Sequence, residues 1–560
     1  MFEKTSRNLV KGFLRSEGRK VVNEAGEEIV LTGWGLGNWL LPEGYMWLSG
    51  TARFDRPRRM EEVIRELAGS DYAESFWTSF RENYVTREDI RMMAELGYNS
   101  VRIPIGWRVL MADEPGITWK EEGFALIDRC LDWCEEFGLY AFLDLHGAPG
   151  GQTGSNIDDS IDDFPRLFTD EDSWHKCIEL WKELARRYRD RWIVGGYDLL
   201  NEPLRPGLWE DKHEYYLTQR LVDFYDAVIP EIRAIDSRHM LSIEGHRWAT
   251  DMSIFYKKYD ENMVIHFHRY ACMPGMESLR EYVAVSERLN QPLWLGETGE
   301  SYPEWYAALY PLSVSLDIGY NLWPWKKMSC TNSPYSIHKP EGWGAFMEYA
   351  KGGARPSYAS VQQTLDQFLE LMKVENCTHH PVVTSAAFRR PGCRVRATDF
   401  DELPGKGESY SGLREEGNIF NYRSQTGMAI RALVNEPESK RFVFDSGWDR
   451  LVLEMEQGEF AAYTFSSIGE GSTVSFELVC LEEAVVSVTQ DGREIARTAL
   501  TAQTSQTSVA VELAGTAETA GIAGEEAALT IAAPLAAAEE TVVKVNVHSG
   551  KVQFQVVHVD

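Results

Sequence analysis

Two glutamates carry the strongest chemical signal in this chain of 560 residues. Glu202 closes the apolar run GYDLLNE (196–202) within Asn201-Glu202-Pro203, and Glu297 closes QPLWLGE (291–297). About three repeats of an apolar run and an amphipathic stretch separate them. Paired carboxylates suit cleavage of a glycosidic bond. One acid must hold a proton for the leaving group, and the other must be ionised to attack the anomeric carbon. A spacing of about 5–5.5 Å would imply retention of configuration through a covalent glycosyl-enzyme. Asn-Glu-Pro alone decides nothing, because it recurs at Asn435-Glu436-Pro437. No acid ends an apolar run at the matching distance beyond that copy, which is expected to be a turn.

Other chemistry-bearing residues end other apolar runs. Arg102, in SVRIPIGW, would keep a neighbouring carboxylate ionised if buried beside it. His146 ends DLHG. His266, His268 and Tyr270 alternate onto one face of a strand, and Tyr270 could hold a nucleophile oxygen by a hydrogen bond. A His-x-His pair can bind metal, but no third ligand stands at a suitable spacing, so neither a metal nor another cofactor is expected. Glu244, in HMLSIEG, is a third acid at a strand end, with a substrate-binding and a structural role both open. Trp323 and Trp325 alternate in IGYNLWPW and suit either a plate under a sugar ring or core packing. Glu300 lies past its strand end, in a loop.

Positioning these residues requires strands that converge. Eight apolar runs occur, at 28–35, 98–105, 139–146, 196–202, 239–245, 262–268, 291–297 and 318–325. Helix-like stretches lie at 86–97, 121–137, 171–190, 213–235, 276–290, 303–316 and 357–373. Strand–helix alternation of this length predicts an α/β fold, a (β/α)8 TIM barrel, whose functional residues sit at the C-terminal strand ends. The segment FLRSEGRKVVNEAGEEIVL predicts a hairpin turning near Glu24–Gly26, placed to plug the barrel bottom. The insertion 38–85 is rich in aromatics, among them Trp39, Tyr45, Trp47, Phe54, Tyr72, Phe76 and Trp77, and is expected to shape the mouth.

Past residue 375 the periodicity changes. The expected division is a barrel over 1–375, a linker over 376–390, and an all-β sandwich over 391–560. The last is built from short alternating runs separated by turns such as Asp491-Gly492. Cys130 and Cys134 share a helix face and are expected to be reduced thiols. A net charge of −29 excludes the basic footprint of nucleic-acid binding. No run is long enough for a membrane span, and no export signal opens the chain, so a cytoplasmic location is expected; a trimmed signal would look the same.

SVRIPI, DLHGAPGGQTG, LLNEP, HFHRY, GETG and LWPWK stand in this order at successive strand ends. Together they resemble glycoside hydrolase family 5, the cellulase and exo-glucanase family, over roughly 15–375. The resemblance implies a retaining β-glycosidase with Glu202 as acid/base and Glu297 as nucleophile. Arg102, His146, Asn201, His268 and Tyr270 would form its supporting shell. Asn201 would bind the 2-hydroxyl of the reacting sugar, and Trp325 would floor the subsite, with Trp323 as the rival. DLHGAPGGQTG looks more like the exo-β-1,3-glucanase and β-glucosidase branch, although Ser155-Asn156 departs from it. An exo-acting β-glucosidase or exo-β-glucanase on short or aryl β-glycosides is therefore expected. The alternatives are an endo-glucanase or mannanase, a glucosylceramide-type glycolipid hydrolase, and a non-catalytic carbohydrate-binding protein. The C-terminal part resembles carbohydrate-binding modules, with Tyr410, Tyr422 and Trp448 as candidate sugar platforms.

Overall fold

In the computed structural model, which describes residues 2–208, 211–415, 417–432, 451–502 and 529–560, the apolar runs are the staves of a barrel. They are β1 (Thr32–Gly35), β2 (Ser100–Gly106), β3 (Tyr140–Gly147), β4 (Val194–Asp198), β5 (Met240–Glu244), β6 (Met263–Arg269), β7 (Leu293–Gly299) and β8 (Gly319–Trp323). Every neighbouring pair is parallel, and β8 closes onto β1. Every residue of β2 and β3 is buried, because helices cover one face and the barrel interior the other. Strict alternation is absent for the same reason.

Seven helices fall where the 3.6-residue spacing places them. Examples are Glu121–Phe137, Glu171–Tyr188 and Tyr358–Leu371. Their ends follow local chemistry. Asp170 caps the second of these by accepting from the Ser173 amide, and Gly138 stops the first in a left-handed conformation. Between β5 and β6 only short turns occur among the described residues, as the sequence pattern implied.

The N-terminal hairpin pairs Arg15–Glu17 with Lys20–Val22 and turns first at Gly18. The predicted turn follows it, closed by the Gly26 amide on the Asn23 carbonyl. Leu14 packs against Gly195 at the start of β4, and the Ser16 amide donates to Asn262 before β6 at 2.9 Å. The segment therefore covers the barrel bottom.

The insertion is less of a mouth than its aromatics suggested. Helices Pro57–Ala68 and Ser70–Tyr84 fold it into an aromatic cluster continuous with the barrel core. There Trp47 meets Phe54, Phe76, Trp77, Phe80, Trp343 and Phe368, with ring centroids 4.7–6.3 Å apart. Aromatic rings bury large area, and here they bury it against one another.

The stretch 376–390, read from sequence as a linker, is not one. Helix Pro381–Phe388 lies within it and buries Val383, Ala386, Ala387 and Phe388. Arg389 then joins the two halves of the chain. Its Nε donates to the Ala307 carbonyl at 2.7 Å and its Nη1 to Asp401 at 2.6 Å. Polar residues flank an apolar helix face there, and composition alone hid the face.

Beyond it, strands Thr473–Gln490 and Ala538–Val559 run antiparallel through the whole β domain. Phe460–Ile468 and Leu451–Glu456 pair with opposite ends of the second long strand. Tyr463 on the former faces Phe476 at 6.1 Å, and Phe476 meets Phe554 at 6.1 Å, so the two halves share an aromatic core. The Asp491-Gly492 turn has positive φ at both residues, 48° and 80°, as a two-residue hairpin of this twist requires. The second Asn-Glu-Pro copy and Trp448 lie outside the described residues. All eight cysteines carry free thiols. No described helix is long and apolar enough to cross a membrane.

Candidate active site

The strand ends converge on Arg102. Its side chain is fully buried in β2, and its guanidinium spreads over acids from four other strands. Nε meets Asp198 Oδ2 of β4 at 2.8 Å, and Nη1 meets Glu297 Oε2 of β7 at 2.6 Å. Nη2 meets Asp144 Oδ2 of β3 and Glu244 Oε1 of β5, both at 3.2 Å, and donates to Asn201 Oδ1 at 2.8 Å. A planar five-donor fork suits such a cluster, and lysine could not replace it. The first residue missed by sequence reasoning is Asp198, and the second is Asp144. Each is a charged residue inside an otherwise apolar strand, a signal that was present.

Glu297 takes one hydrogen bond on each oxygen. Arg102 holds Oε2, and the Tyr270 hydroxyl donates to Oε1 at 2.9 Å. Burial and nearby Glu297 and Glu300 push the Tyr270 phenol well up, so it remains a donor. Burial pushes the Glu297 carboxyl up as well, with His268 and Arg102 pulling it down and Glu202 pushing the other way. His146 stays neutral, since burial pushes its imidazole down to about 3. Its Nδ1 lies 2.8 Å from Asp144 Oδ2 and its Nε2 3.4 Å from the Asn201 amide nitrogen. The Asn201 orientation follows, because its oxygen is committed to Arg102.

Glu202 lies four residues beyond β4, with a left-handed φ of 45°. That conformation costs about 1–2 kcal/mol for a non-glycine residue, and neighbouring groups hold it. The Glu202 amide donates to Glu244 Oε2 at 2.6 Å, and Thr153 Oγ1 donates to the Glu202 carbonyl at 2.8 Å. Gln152 also ties the loops after β3 and β4 together, donating to the carbonyls of His146 and Asn201. The Gly-Gly-Gln-Thr-Gly loop is thus a brace for Glu202. The Glu202 side chain accepts from, or donates to, His268 Nδ1 at 2.8 Å. Atoms of Glu202, His268 and Glu297 lie within 4.8 Å of one another. Both carboxylates reach the solvent, with side-chain exposures of 13% for Glu202 and 7% for Glu297.

One wall is Trp323, the last residue of β8. Its ring stacks on His146, 5.1 Å between centroids and 8° between planes, and its Nε1 donates to the Tyr45 hydroxyl at 3.0 Å. Gly35 and Gly37 make room for it, since a Cβ on Gly35 would lie 2.4 Å from the indole. Trp325 is a correction. It does not reach the site: it is buried, its Nε1 donates to Asp89 at 3.0 Å, and its ring packs on Trp34 and Tyr335. Asp89 also caps helix Arg87–Glu95 and binds Lys326. The strand ends at Trp323, and Pro324, lacking an amide hydrogen, follows, so alternation stops there.

Arg102 stands in the supporting shell behind Glu297, and Glu244, whose role the sequence left open, stands behind the site with it rather than in contact with substrate. Both side chains have no solvent exposure and act on other residues, Arg102 on Glu297 and Glu244 on the Glu202 backbone. The insertion contributes Tyr45, one of the aromatics expected at the mouth, and Glu43, which was not foreseen. Burial, reinforced by Glu297, Glu300 and Glu202, pushes the Glu43 carboxyl well up, and its Oε1 lies 3.9 Å from His146 Nε2. Glu300 pairs with Lys327, away from a nucleophile's place. Of the proposed sugar platforms in the β domain, Tyr422 is buried with its hydroxyl on Asp399, and Tyr410 packs on Phe400 at 5.4 Å.

Glu244, His266 and His268 have the donor types and spacing of a metal site, the fold supplying the third group that sequence spacing lacked. The Arg102 guanidinium already occupies Glu244 Oε1, and the two ring nitrogens face each other at 3.0 Å, an arrangement suited to a shared proton. Chemically, the cluster can present one anionic oxygen and one proton to opposite sides of a single bond.

The comparisons with known proteins agree with the motifs. Residues 64–329 match the cellulase family, described as glycosyl hydrolase family 5. A β-xylosidase of Phanerodontia chrysosporium is 32% identical over 298 residues, which are 53% of this chain and 59% of that protein. A glucan 1,3-β-glucosidase of Lachancea kluyveri is 29% identical over 324 residues, 53% of this chain and 69% of that protein. Endoglucanase C of Acetivibrio thermocellus is 29% identical over 193 residues, 34% of this chain and 51% of that protein. The chain thus spans about half to two thirds of the length of these curated relatives. The expected resemblance to glycoside hydrolase family 5 is present over most of the barrel.

Proposed function

We propose that this chain hydrolyses β-glycosides with retention of configuration, by double displacement. The observation that carries the reading is the placement of Glu202 and Glu297, with oxygens within 4.8 Å and opposite supporting partners. That spacing belongs to the retaining class, because an inverting pair needs about 6.5–9.5 Å to admit water. Glu297, held by Arg102 and Tyr270, attacks the anomeric carbon. Glu202 gives its proton to the glycosidic oxygen as that bond breaks. Water then attacks the glycosyl ester, losing a proton to Glu202 and releasing Glu297. Asn201 has a second amide hydrogen for the 2-hydroxyl, and Trp323 offers a face to the sugar ring.

Exo action on short or aryl glycosides is the finer reading. Glu43 and Tyr45 come from the insertion and stand beside His146 and Trp323. A protonated Glu43 can both donate to and accept from sugar hydroxyls at a closed end of the cleft. Among the relatives, the β-xylosidase and the glucan 1,3-β-glucosidase bear names of exo enzymes, and the endoglucanase does not. The test is Glu297→Gly. It should be inactive on aryl β-glycosides and regain turnover with azide, giving a β-glycosyl azide. Activity without azide would refute the nucleophile assignment. Faster turnover of polymer than of p-nitrophenyl β-glycosides would refute exo action alone.

A further inference from the structure

We propose that Asp198 and His266 are positioning residues for the acid/base step, fixing the tautomer of His268 so that one proton is shared between His268 Nδ1 and Glu202 Oε1. The inference rests on the reading of Glu202 as acid/base.

His266 Nδ1 lies 3.1 Å from Asp198 Oδ1, 3.3 Å from Glu244 Oε1 and 2.8 Å from Ser242 Oγ. Two carboxylates face that nitrogen, so it carries the hydrogen. Burial pushes the His266 imidazole down, against the pull of Asp198 and Glu244, and the ring is neutral. Its Nε2 is then a lone pair, and it faces His268 Nε2 at 3.0 Å. His268 must therefore carry a hydrogen on Nε2. That leaves its Nδ1 facing Glu202 Oε1 at 2.8 Å, with one proton for the two atoms; burial opposes a charge on the His268 ring, but Glu244, Glu297 and Glu202 draw that proton towards it, so it passes to oxygen only as the leaving group takes it up.

The groups around this chain come from every neighbouring strand. Asp198 and Glu202 approach from the β4 side, Glu244 from β5, Glu297 from β7 and Arg102 from β2, with Asp144 and His146 of β3 behind them. Burial opposes a charge on Asp198, yet His266 and Arg102 hold its carboxyl well below the usual carboxylate range. It is a fixed acceptor that does not itself take the proton. Gly296, immediately before Glu297, gives His266 its place: a Cβ there would lie 2.0 Å from His266 Nε2. Any side chain at 296 would push the two rings apart.

The consequence is a directional acid. With the proton on oxygen, Glu202 can donate it to the leaving group as the glycosidic bond breaks. The new carboxylate then faces the Nδ1 lone pair, which opposes its charge and favours recovery of a proton from the attacking water. Losing His266 frees His268 to place its hydrogen elsewhere, and protonation of the leaving group suffers first.

Leaving-group dependence tests this, because a departing group of low pKa needs no acid. In His266→Phe, kcat/KM for phenyl β-glycosides should fall about 10–100-fold, a part of the roughly 10²–10⁴-fold that a general acid supplies. The 2,4-dinitrophenyl glycoside, which departs without a proton, should lose far less. His266→Gln keeps a carbonyl acceptor for His268 Nε2 and should recover part of the loss. Equal losses on both leaving groups, or none, would overturn the proposal. Should neither variant fold, the two-bond 1H–15N pattern of histidine-labelled wild type decides, with His266 identified by its shift in Ser242→Ala. A hydrogen on His266 Nδ1 and none on Nε2 is expected, and the reverse tautomer overturns it. Wild type inert towards every aryl β-glycoside would instead fail the hydrolase reading, and the spectrum would still decide the tautomer.

Discussion

Replacing Arg102 with methionine removes a permanent positive charge from the centre of Asp144, Asp198, Glu244 and Glu297, which it contacts at 2.6–3.2 Å. At an effective dielectric constant of 20, unit charges about 4 Å apart interact by about 4 kcal/mol. Removing one partner of a buried pair costs about 3–5 kcal/mol in practice. The acids limit the damage by binding protons. Burial already pushes Asp144, Glu244 and Glu297 up, with Arg102 holding Asp144 and Glu297 down, so its loss sends those two further up. The sign follows from linkage. A carboxyl whose folded pKa lies above its unfolded value binds more protons in the native state, so stability falls as pH rises from about 4 towards the folded pKa. Thermal melts of wild type and Arg102→Met at pH 5 and pH 7.5 measure this. The variant should melt lower at both, and the gap should widen at pH 7.5. A gap that is absent, or larger at pH 5, would refute the reasoning.

Trp323 and Trp325 separate by paired substitution. Trp325→Phe should cost about 1–2 kcal/mol through the lost bond to Asp89, with KM unchanged, whereas Trp323→Ala should raise KM for aryl glycosides severalfold; denaturant melts and initial rates read both. Arg247, Trp248 and Ala249 form a left-handed turn after β5, with φ between 55° and 57°. Glycine accepts that conformation, so Ala249→Gly should stabilise the chain by about 1 kcal/mol, and a lower melting temperature would show the turn to be unstrained.

Much of the barrel was legible because parallel strands buried on both faces must read as apolar runs. All eight such runs form staves, and the acids at the ends of two of them meet. Arg102, His146, Asn201, His268 and Tyr270 also arrive where their strand positions predicted. What the sequence hid was contact between strands. Asp198 lies on β4 and His266 on β6, and only closure of the barrel brings them together. The resemblance put Trp325 under the sugar, but the strand stops at Trp323 and the chain beyond it turns Trp325 into the core, which alternation alone left open. Glu43 lies in an irregular insertion, where no periodicity says which way a side chain turns. The aromatic insertion and the supposed linker show the same limit, since composition marks apolar residues without saying what covers them.

In double displacement Glu297 becomes covalently bonded to the anomeric carbon. A 2,4-dinitrophenyl 2-deoxy-2-fluoro-β-glycoside of whichever sugar the wild type turns over slows both steps and retains a good leaving group. Mass spectrometry after digestion should find one glycosyl group, on the peptide carrying Glu297. A label on Glu202 or Glu300, or release of dinitrophenol with no adduct at all, would contradict the account.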